Sequence, residues 1–368
     1  MMNIPFVDLK AQYLAHQPAI DRAMAEVIAE TGFIGGAKVS SFERDFAAAC
    51  GVRYCVSVAN GTDAIYIALR MLGIGPGDEV ITVANSWIST SEAVTQTGAR
   101  PVFVDIDEYF HIDAARIEEK ITSRTKAILP VHLYGQPADM AAISQICAAH
   151  DLKLVEDCAQ AHFAEFQGQK VGTFGAAGTF SFYPGKNLGA YGDAGGIVTG
   201  DEELAARMRM YANHGALVKH RHLMEGINSR LDALQAAVLS AKLPHVTSWN
   251  ERRFDWAQLY SSLLADLAEV QTPRLRPGTS HVFHLYVVRV PRRDALQQHL
   301  SDCGIQTAIH YPTPLPLLPA YAYMEHSPAD FPAAVQVQRE ILSLPLYPEI
   351  TEDMVSYVVQ CIRTFYRG

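Results

Sequence analysis

The sequence predicts an α/β protein in which helices cover a mostly parallel sheet. Short apolar runs alternate with helical patterns through the first half of the chain, and turns rich in Gly, Pro, Asn and Asp separate them. The chain has 368 residues, 49% of them hydrophobic and 19% charged, which is enough for one large and one smaller domain. Because ligands bind beyond the carboxyl ends of parallel strands, we expect a functional site at that edge of the sheet.

The elements before residue 160 alternate regularly. An amphipathic helix is predicted over residues 17–30, with Pro18 in its first turn, and Ser40–Glu43 has the pattern of a capping box that starts the next helix. From there, strands and helices take turns, as in a sheet built from βαβ units. The predicted strands cover residues 54–58, 79–83, 101–105, 126–131 and 152–155, and the predicted helices between them cover residues 60–72, 89–98 and 139–150.

Beyond residue 195 the alternation gives way to longer helical patterns. Helices are predicted over residues 202–213, 231–243 and 249–267, and a strand over 282–290 precedes a helix that begins near residue 294. We therefore predict an N-terminal arm and large domain over residues 1–245, followed by a small C-terminal α+β domain over residues 246–368.

Composition argues against several classes of function. The net charge is −9 and no basic cluster stands out, so nucleic acid is not an expected partner. The six cysteines are scattered without a Cys-x-x-Cys pair, which is typical of reduced thiols and favours a cytoplasmic location. The first residues lack the pattern of a secretion signal, and no apolar run is long enough to span a membrane.

Lys186 and Asp157 are the residues that most strongly indicate chemistry. Lys186 lies in the Gly- and Pro-rich segment 181–195, and the apolar run 152–155 ends at Glu156-Asp157. Pyridoxal phosphate (PLP) requires such a pair, because a lysine forms the Schiff base while a carboxylate keeps the pyridine nitrogen protonated. A surface lysine in a glycine-rich loop is the competing interpretation, and the loop alone does not decide between the two.

Further candidates lie near other strand ends. The turn Asn60–Asp63 opens a helix, where backbone N–H groups and the Thr62 hydroxyl form a cup suited to phosphate. Ser181 offers one more hydroxyl, Trp87 an indole that could stack on an aromatic ring, and Gln160 an amide close to Asp157. Each of these features alone is more typical of ordinary turns and packing. Their order along the chain is what indicates a cofactor site.

Eight ordered motifs resemble the DegT/DnrJ/EryC1/StrS family of nucleotide-sugar aminotransferases over nearly the whole chain. The segments that carry the resemblance are Phe6–Leu9, Ala59–Asp63, Gly75–Val80, Pro101–Asp105, Val131–Gly135, Glu156–Gln160, Ser181–Asn187 and Gly226–Arg230. The resemblance implies a fold-type I PLP enzyme. Such an enzyme has a large domain with a mostly parallel seven-stranded sheet sandwiched by helices, and a smaller α+β domain. It is usually a homodimer with active sites at the subunit interface.

The resemblance also implies roles for individual residues. Lys186 would be the covalent anchor and proton carrier, Asp157 the partner of the pyridine nitrogen, and Gln160 the contact to the ring hydroxyl. The phosphate would be held by Thr62, the backbone of Asp63 and Ser181, Trp87 would stack on the ring, and Asn228 would reach the cofactor of the neighbouring subunit. The substrate-binding candidates are Tyr183, His220, His222, Arg230, His310 and Tyr311.

The reaction implied is transfer of an amino group from an amino acid, L-glutamate by expectation, to a keto group of a nucleotide-linked sugar. Amination at C3 is favoured over C4, and the products would serve surface-glycan or other amino-sugar biosynthesis. A non-catalytic PLP-binding regulator and an NAD-dependent oxidoreductase are the alternatives. This chain lacks the Gly-x-Gly-x-x-Gly turn of dinucleotide-binding enzymes, and the oxidoreductase interpretation gives Lys186 no role. The spacing of His214, His220 and His222 matches no zinc pattern, so no metal is expected.

Overall fold

The computed structural model describes residues 2–367, and a seven-stranded sheet forms its centre. The strand order is β1-β9-β8-β5-β4-β2-β3, in which only β9 runs antiparallel to its neighbours. The strands are β1 Tyr54–Val58, β2 Glu79–Val83, β3 Arg100–Val104, β4 Thr125–Leu129, β5 Lys153–Asp157, β6 Glu165–Phe166, β7 Gln169–Lys170, β8 Ala177–Ser181, β9 Gly195–Thr199, β10 Tyr286–Arg289 and β11 Ile341–Leu344.

Helices pack on both faces of this sheet. Helices α3 and α6 cover one face of β1, β8 and β9, whereas α2 and α7 belong to a cluster of apolar side chains on the other face. The α-helices are α1 Leu9–Glu30, α2 Gly36–Cys50, α3 Gly61–Met71, α4 Ser89–Gln96, α5 Met140–Ala149, α6 Glu202–Ala212, α7 Ala233–Lys242, α8 Val246–Leu264, α9 Arg293–Asp302, α10 Pro332–Val337 and α11 Glu352–Arg367.

The predicted α/β class with a mostly parallel seven-stranded sheet is confirmed. All five strands predicted before residue 160 are present, and two of them, β1 and β2, have the predicted bounds. Apolar residues fill these strands because both faces of the sheet are covered. The alternation of strands and helices therefore carried enough information to predict this half of the fold.

The first two helices begin earlier than predicted. Helix α1 starts at Leu9, capped by Asp8, and contains Pro18 in its interior. Pro18 is exposed, so water can satisfy the carbonyl group that loses its helical partner. Helix α2 starts at Gly36, and the hydroxyl of Ser40 donates to the Gly36 carbonyl within the helix (3.2 Å). The predicted capping box at Ser40–Glu43 is therefore wrong.

The C-terminal part is organised around a second, two-stranded sheet of β10 and β11, which are antiparallel. Helices α8, α9 and α11 contribute to one apolar cluster with these strands, and Ile4 of the N-terminal arm belongs to the same cluster. The strand predicted over 282–290 is shorter than expected, because Val282 and Leu285 donate their N–H groups to the loop at Tyr134–Gly135. Within residues 2–367, no helix has the length and apolar character needed to cross a lipid bilayer.

Candidate active site

Lys186 lies in a loop between β8 and β9 that is folded back on itself. Phe182 donates its N–H to Ala194 and accepts from Ala190, while the N–H of Lys186 donates to the Tyr183 carbonyl (2.8 Å). The side chain of Lys186 is half-buried, and its Nζ has no hydrogen-bond partner among residues 2–367. The loop therefore directs an amine with free donor capacity into a cavity.

The cavity has a volume of about 460 Å³ and lies at the carboxyl ends of the central strands. Such a volume suits a cofactor or a small metabolite. Most of the residues named from sequence contribute to its wall, namely Thr62, Trp87, Asp157, Gln160, Ser181, Tyr183, Lys186, His310 and Tyr311.

Asp157 is the last residue of β5 and is buried at the floor of the cavity. One carboxylate oxygen accepts from the Thr90 hydroxyl (2.9 Å) and the other from the N–H of Ala159 (3.1 Å). Each carboxylate oxygen can accept more than one hydrogen bond, so acceptor capacity remains. The geometry leaves an anchored carboxylate that can pair with a cationic group in the cavity.

The charges of Lys186 and Asp157 influence each other. Burial lowers the pKa of Lys186 to about 8, and the negative charge of Asp157 opposes this shift. Burial also raises the pKa of Asp157, and the Ala159 N–H, the Thr90 hydroxyl and Lys186 oppose that shift. Lys186 is therefore more readily neutral, and more nucleophilic near neutral pH, than an exposed lysine.

The N-terminus of α3 forms the predicted anion cup. The Asn60 side chain accepts from the N–H of Asp63 (2.8 Å), whereas the N–H groups of Gly61 and Thr62 have no partner among residues 2–367. Unpaired N–H groups at a helix N-terminus favour an anion. A Cβ at Gly61 would come within 2.7 Å of the Ser181 Cβ, so glycine allows the cup to lie directly beside Ser181.

Ser229 supports this cup, although it was not among the predicted site residues. Its hydroxyl donates to the Asp63 carboxylate (2.6 Å) and accepts from the N–H of Ala59 (3.1 Å). Ser229 is fully buried and follows Asn228 in the Gly226–Arg230 motif. The contact joins two segments far apart in sequence, so spacing alone could not have revealed it.

Three of the candidates, Trp87, Gln160 and Tyr311, form another part of the cavity wall. The rings of Trp87 and Tyr311 lie 5.9 Å apart, and the Trp87 side chain is 58% exposed, so one face of the indole is available to a ligand. Gln160 donates to the Tyr311 hydroxyl (2.9 Å) and accepts from the N–H of Tyr134 (2.7 Å). One N–H of the Gln160 amide remains for a further acceptor.

Five of the predicted residues do not line this cavity within one chain. Asp63 is one of them, and its N–H, which was expected to hold the phosphate, donates to the Asn60 side chain instead. Asn228 is exposed, and Arg230 donates to the side chain of Asn213 (3.1 Å). His222 contacts the His214 carbonyl through Nδ1 (2.8 Å), and His220 is exposed in the same segment. The structure thus separates a group built from strand ends from a second group on segment 213–230.

A sequence profile of the DegT/DnrJ/EryC1/StrS aminotransferase family matches residues 15–363. The chain is 47% identical to a "pleiotropic regulatory protein" of Geobacillus stearothermophilus, with 100% of this chain and 99% of that protein aligned. It is 45% identical to dTDP-3-amino-3,4,6-trideoxy-α-D-glucose transaminase of Streptomyces venezuelae, with 98% and 96% aligned. Its fold is similar to that of S. venezuelae DesV in complex with a ketimine intermediate, with a TM-score of 0.98, 44% identity and complete coverage of both chains.

The chain belongs to this family. It is an aminotransferase, and its cofactor is PLP, in line with similar solved structures described with bound PMP or in a PLP form.

The donors and acceptors of the cavity fit PLP. An amine with a lowered pKa, a buried carboxylate and two unpaired N–H groups at a helix N-terminus are the groups that its aldehyde, ring nitrogen and phosphate require. The exposed face of Trp87 suits its flat ring. In this family member all of these groups converge on one cavity.

Proposed function

We propose that this aminotransferase moves an amino group from L-glutamate to the C3 keto group of a nucleotide-linked sugar, for surface-glycan or other amino-sugar biosynthesis. The observation that carries the proposal is the convergence of Lys186, Asp157 and the anion cup of α3 on one cavity. Amination at C3 is supported by the similarity to a transaminase whose name specifies a 3-amino sugar. L-Glutamate as donor rests on the resemblance described above.

When bound, PLP supplies an electron-accepting ring that carries the amino group between the two substrates. Lys186 would hold the cofactor covalently through Nζ. Once released, Nζ would act as general base and acid that moves the proton at the substrate carbon. Its lowered pKa supports this role, because an amine with a pKa of about 8 gains and loses a proton readily near neutral pH.

Asp157 would pair with the pyridine nitrogen, and the Thr90 hydroxyl and the Ala159 N–H would keep its carboxylate in place. The phosphate would bind at the N-terminus of α3 with the hydroxyls of Thr62 and Ser181. Trp87 would cover one face of the ring, and Gln160 would contact the ring hydroxyl.

The sugar nucleotide would bind on the open side of the cavity. Tyr183 is exposed beside Lys186, and His310 and Tyr311 also line the cavity, which supports their proposed role in holding the sugar.

We also propose a homodimer in which segment 213–230 completes the partner's active site. Asn228 would reach the cofactor phosphate of the neighbouring subunit, while His220, His222 and Arg230 would approach its substrate. The exposed apolar side chains of the same segment support an interface there; they are Leu217, Val218 and Leu223.

Two assignments concern the whole chain. The proposed division into residues 1–245 and 246–368 is supported by the apolar cluster that joins α8, α9, α11, β10 and β11, although Ile4 of the arm also packs in that cluster. Limited proteolysis that cut first within the cluster would contradict this division.

The proposed cytoplasmic location is supported by six cysteines without disulfide bonds, and recovery of the native protein in a secreted fraction would contradict it.

The proposed reaction can be tested with a panel of 3-keto and 4-keto nucleotide sugars. The purified holoenzyme is incubated with L-glutamate and each sugar, and the product is identified by mass spectrometry and NMR. We expect amination of 3-keto sugars only, with loss of the long-wavelength absorbance on addition of glutamate alone. Amination confined to 4-keto sugars would overturn the assignment to C3. Absorbance that does not respond to any amino acid would favour a regulator that binds PLP without turnover.

The shared site can be tested by mixing two inactive variants. Lys186→Ala removes the anchor, and Asn228→Asp places a carboxylate where we expect the partner's phosphate. In a dimer of one subunit of each variant, one of the two sites combines Lys186 of one subunit with Asn228 of the other. Activity should therefore return after the subunits exchange. Activity that stays absent in a verified mixed dimer would contradict the shared site.

A further inference from the structure

A second chamber of about 260 Å³ adjoins the main cavity at Lys186. It shares Gln160, Tyr183, Lys186, His310 and Tyr311 with the main cavity, and its remaining lining residues are different. These are largely apolar, namely Phe6, Val7, Leu285, Leu344 and Leu346, and the exception is His284. The reaction as described above gives His284 no role.

The hydrogen bonds of Asn187 determine how the His284 ring is protonated. The amide nitrogen of Asn187 is 3.1 Å from the carbonyl oxygen of Val282, which can only accept. The amide oxygen of Asn187 must therefore face Nδ1 of His284, which is 3.1 Å away. Because that oxygen can only accept, Nδ1 carries the proton.

A second backbone carbonyl fixes the same direction independently. The amide nitrogen of Asn250 donates to the carbonyl oxygen of His162 (2.9 Å), so the Asn250 oxygen is left to accept from the amide nitrogen of Asn187 (2.8 Å). The amide orientations of Asn250 and Asn187 and the tautomer of His284 therefore have only one consistent assignment. We call Asn250, Asn187 and His284 the amide relay.

The relay leaves the lone pair of His284 on Nε2. Burial lowers the pKa of His284 well below its usual value, and Lys186 and Arg253 add to this shift, so the ring is neutral. Nε2 has no hydrogen-bond partner among residues 2–367, yet it is not enclosed by protein, so it opens into the second chamber. His310 differs, because its Nδ1 contacts the Ser343 hydroxyl (2.9 Å), which can donate or accept.

We propose that His284 is a positioning residue for Lys186, with Nε2 as the acceptor of a hydrogen bond from Nζ whenever that amine is not covalently engaged. The buried carboxylate of the main cavity, Asp157, already accepts hydrogen bonds from Thr90 and Ala159. The neutral Nε2 of His284 in the second chamber gives Nζ a hydrogen-bond acceptor away from the reacting centre. Nζ can therefore leave that centre without forming a tight ion pair. His284 thereby prepares the free lysine to return its proton.

Two substitutions separate the nitrogens of His284. His284→Asn keeps a donor near the Nδ1 position and preserves the relay, but removes the acceptor at Nε2. His284→Gln places an amide oxygen near the Nε2 position and gives up the bond to Asn187. A purely structural role predicts that the Gln variant, which loses the bond to Asn187, is the less stable of the two. The positioning role predicts that the pKa of Lys186 changes more in the Asn variant.

The readout is the pKa of Lys186 in the cofactor-free full chain, measured by competitive acetylation across pH and peptide mass spectrometry. In the parent protein the amine should half-titrate near pH 8. Loss of the acceptor destabilises the ammonium form, so His284→Asn should lower the proton affinity of Nζ about tenfold, while His284→Gln should stay within about threefold of the parent. Equal shifts in the two variants, or no shift in either, would overturn the proposal.

NMR of the protein labelled with ¹⁵N-histidine tests the relay itself. The signals of His284 are identified among the 14 histidines by their loss in His284→Gln. We expect a protonated Nδ1 and an unprotonated Nε2, and the opposite tautomer would overturn the proposal. The inference rests on the proposed role of Lys186, but both measurements use neither cofactor nor sugar, so their failure would leave the sugar-panel result untouched.

Discussion

Glu156 and Asp157 are adjacent on β5, but alternation along the strand directs their carboxylates to opposite faces of the sheet. The Glu156 side chain is fully buried and accepts three N–H groups from the turn 172–175, at 2.7–3.1 Å. It also accepts from Nε2 of His132 (3.1 Å), which carries the proton because Nδ1 of that ring accepts from the Ala138 N–H. Four donors thus surround Glu156.

Asp157 has half as many donors and faces a cavity. The comparison shows that burial of a carboxylate does not by itself indicate chemistry. The distinguishing feature is acceptor capacity that the protein leaves unused. The same reasoning applies to His132, Glu156 and Cys158, whose ligand atoms lie within 4.8 Å of one another. Hydrogen bonds already occupy the polar atoms of His132 and Glu156, which argues for a structural network there.

The largest effect is expected on the cavity side of this comparison, from Lys186→Ala. Loss of the amine removes both the covalent anchor and the proton carrier, so transamination should fall below detection. Nζ has no hydrogen-bond partner among residues 2–367, so the melting temperature should stay close to that of the parent. Turnover at the parent rate would show that the anchor has been misidentified.

Asp157→Asn should lower kcat about 10²- to 10⁴-fold, because a neutral amide cannot keep the ring nitrogen cationic. Folding should change little, since the amide oxygen can still accept from Ala159. Steady-state kinetics and thermal melts on the same preparation measure both quantities. If this variant kept a normal kcat but lost much of its stability, Asp157 would be the structural carboxylate, and the catalytic role would have to be sought at Glu156.

Glu156→Gln should show the opposite pattern. The amide nitrogen would face donors that now point at a carboxylate, so we expect the free energy of unfolding to fall by about 3 kcal/mol. Denaturation in urea measures this loss. The activity per correctly folded molecule should remain within a few-fold of the parent, and a loss comparable with that of Asp157→Asn would remove the contrast.

Thr90→Val should have the smallest effect. Valine has nearly the same shape but cannot donate to Asp157, so the carboxylate keeps one of its two donors. We expect about a tenfold loss of kcat, by analogy with the removal of one net hydrogen bond to a charged group. Thr90→Ser serves as the matched control, since it keeps the hydroxyl, and its activity should be close to that of the parent.

The sequence predicted the half of the fold in which short strands alternate with helices. Turn residues and apolar runs are local signals, and the candidates at strand ends, such as Asp157 and Thr62, were found from them. Helix starts were less predictable. Pro18 is accommodated inside α1 only because that face is exposed, and local sequence does not report exposure.

Contacts between distant segments were not predictable from spacing. Ser229 supports the anion cup across 166 residues, and the amide relay requires helix α8 with Asn250 to meet the loops that carry Asn187 and His284. Directional hydrogen bonds of this kind appear only once the backbone carbonyls have been placed. A polar residue in a motif is therefore a reason to look for its partner in the fold.

The antiparallel strand β9 has one further consequence. Its first residue, Gly195, pairs with Val58 at the end of β1 and with Ser181 at the end of β8, so it lies between the helix that would receive the phosphate and the loop that carries the lysine. A Cβ there would lie 2.2 Å from the Asn60 carbonyl oxygen, which only glycine avoids. Under the proposed function, the main chain at Gly195 would set the distance between the phosphate and the lysine end of the bound cofactor. Discrimination among sugars would then fall to side chains on the outer wall, where substitutions do not alter that distance.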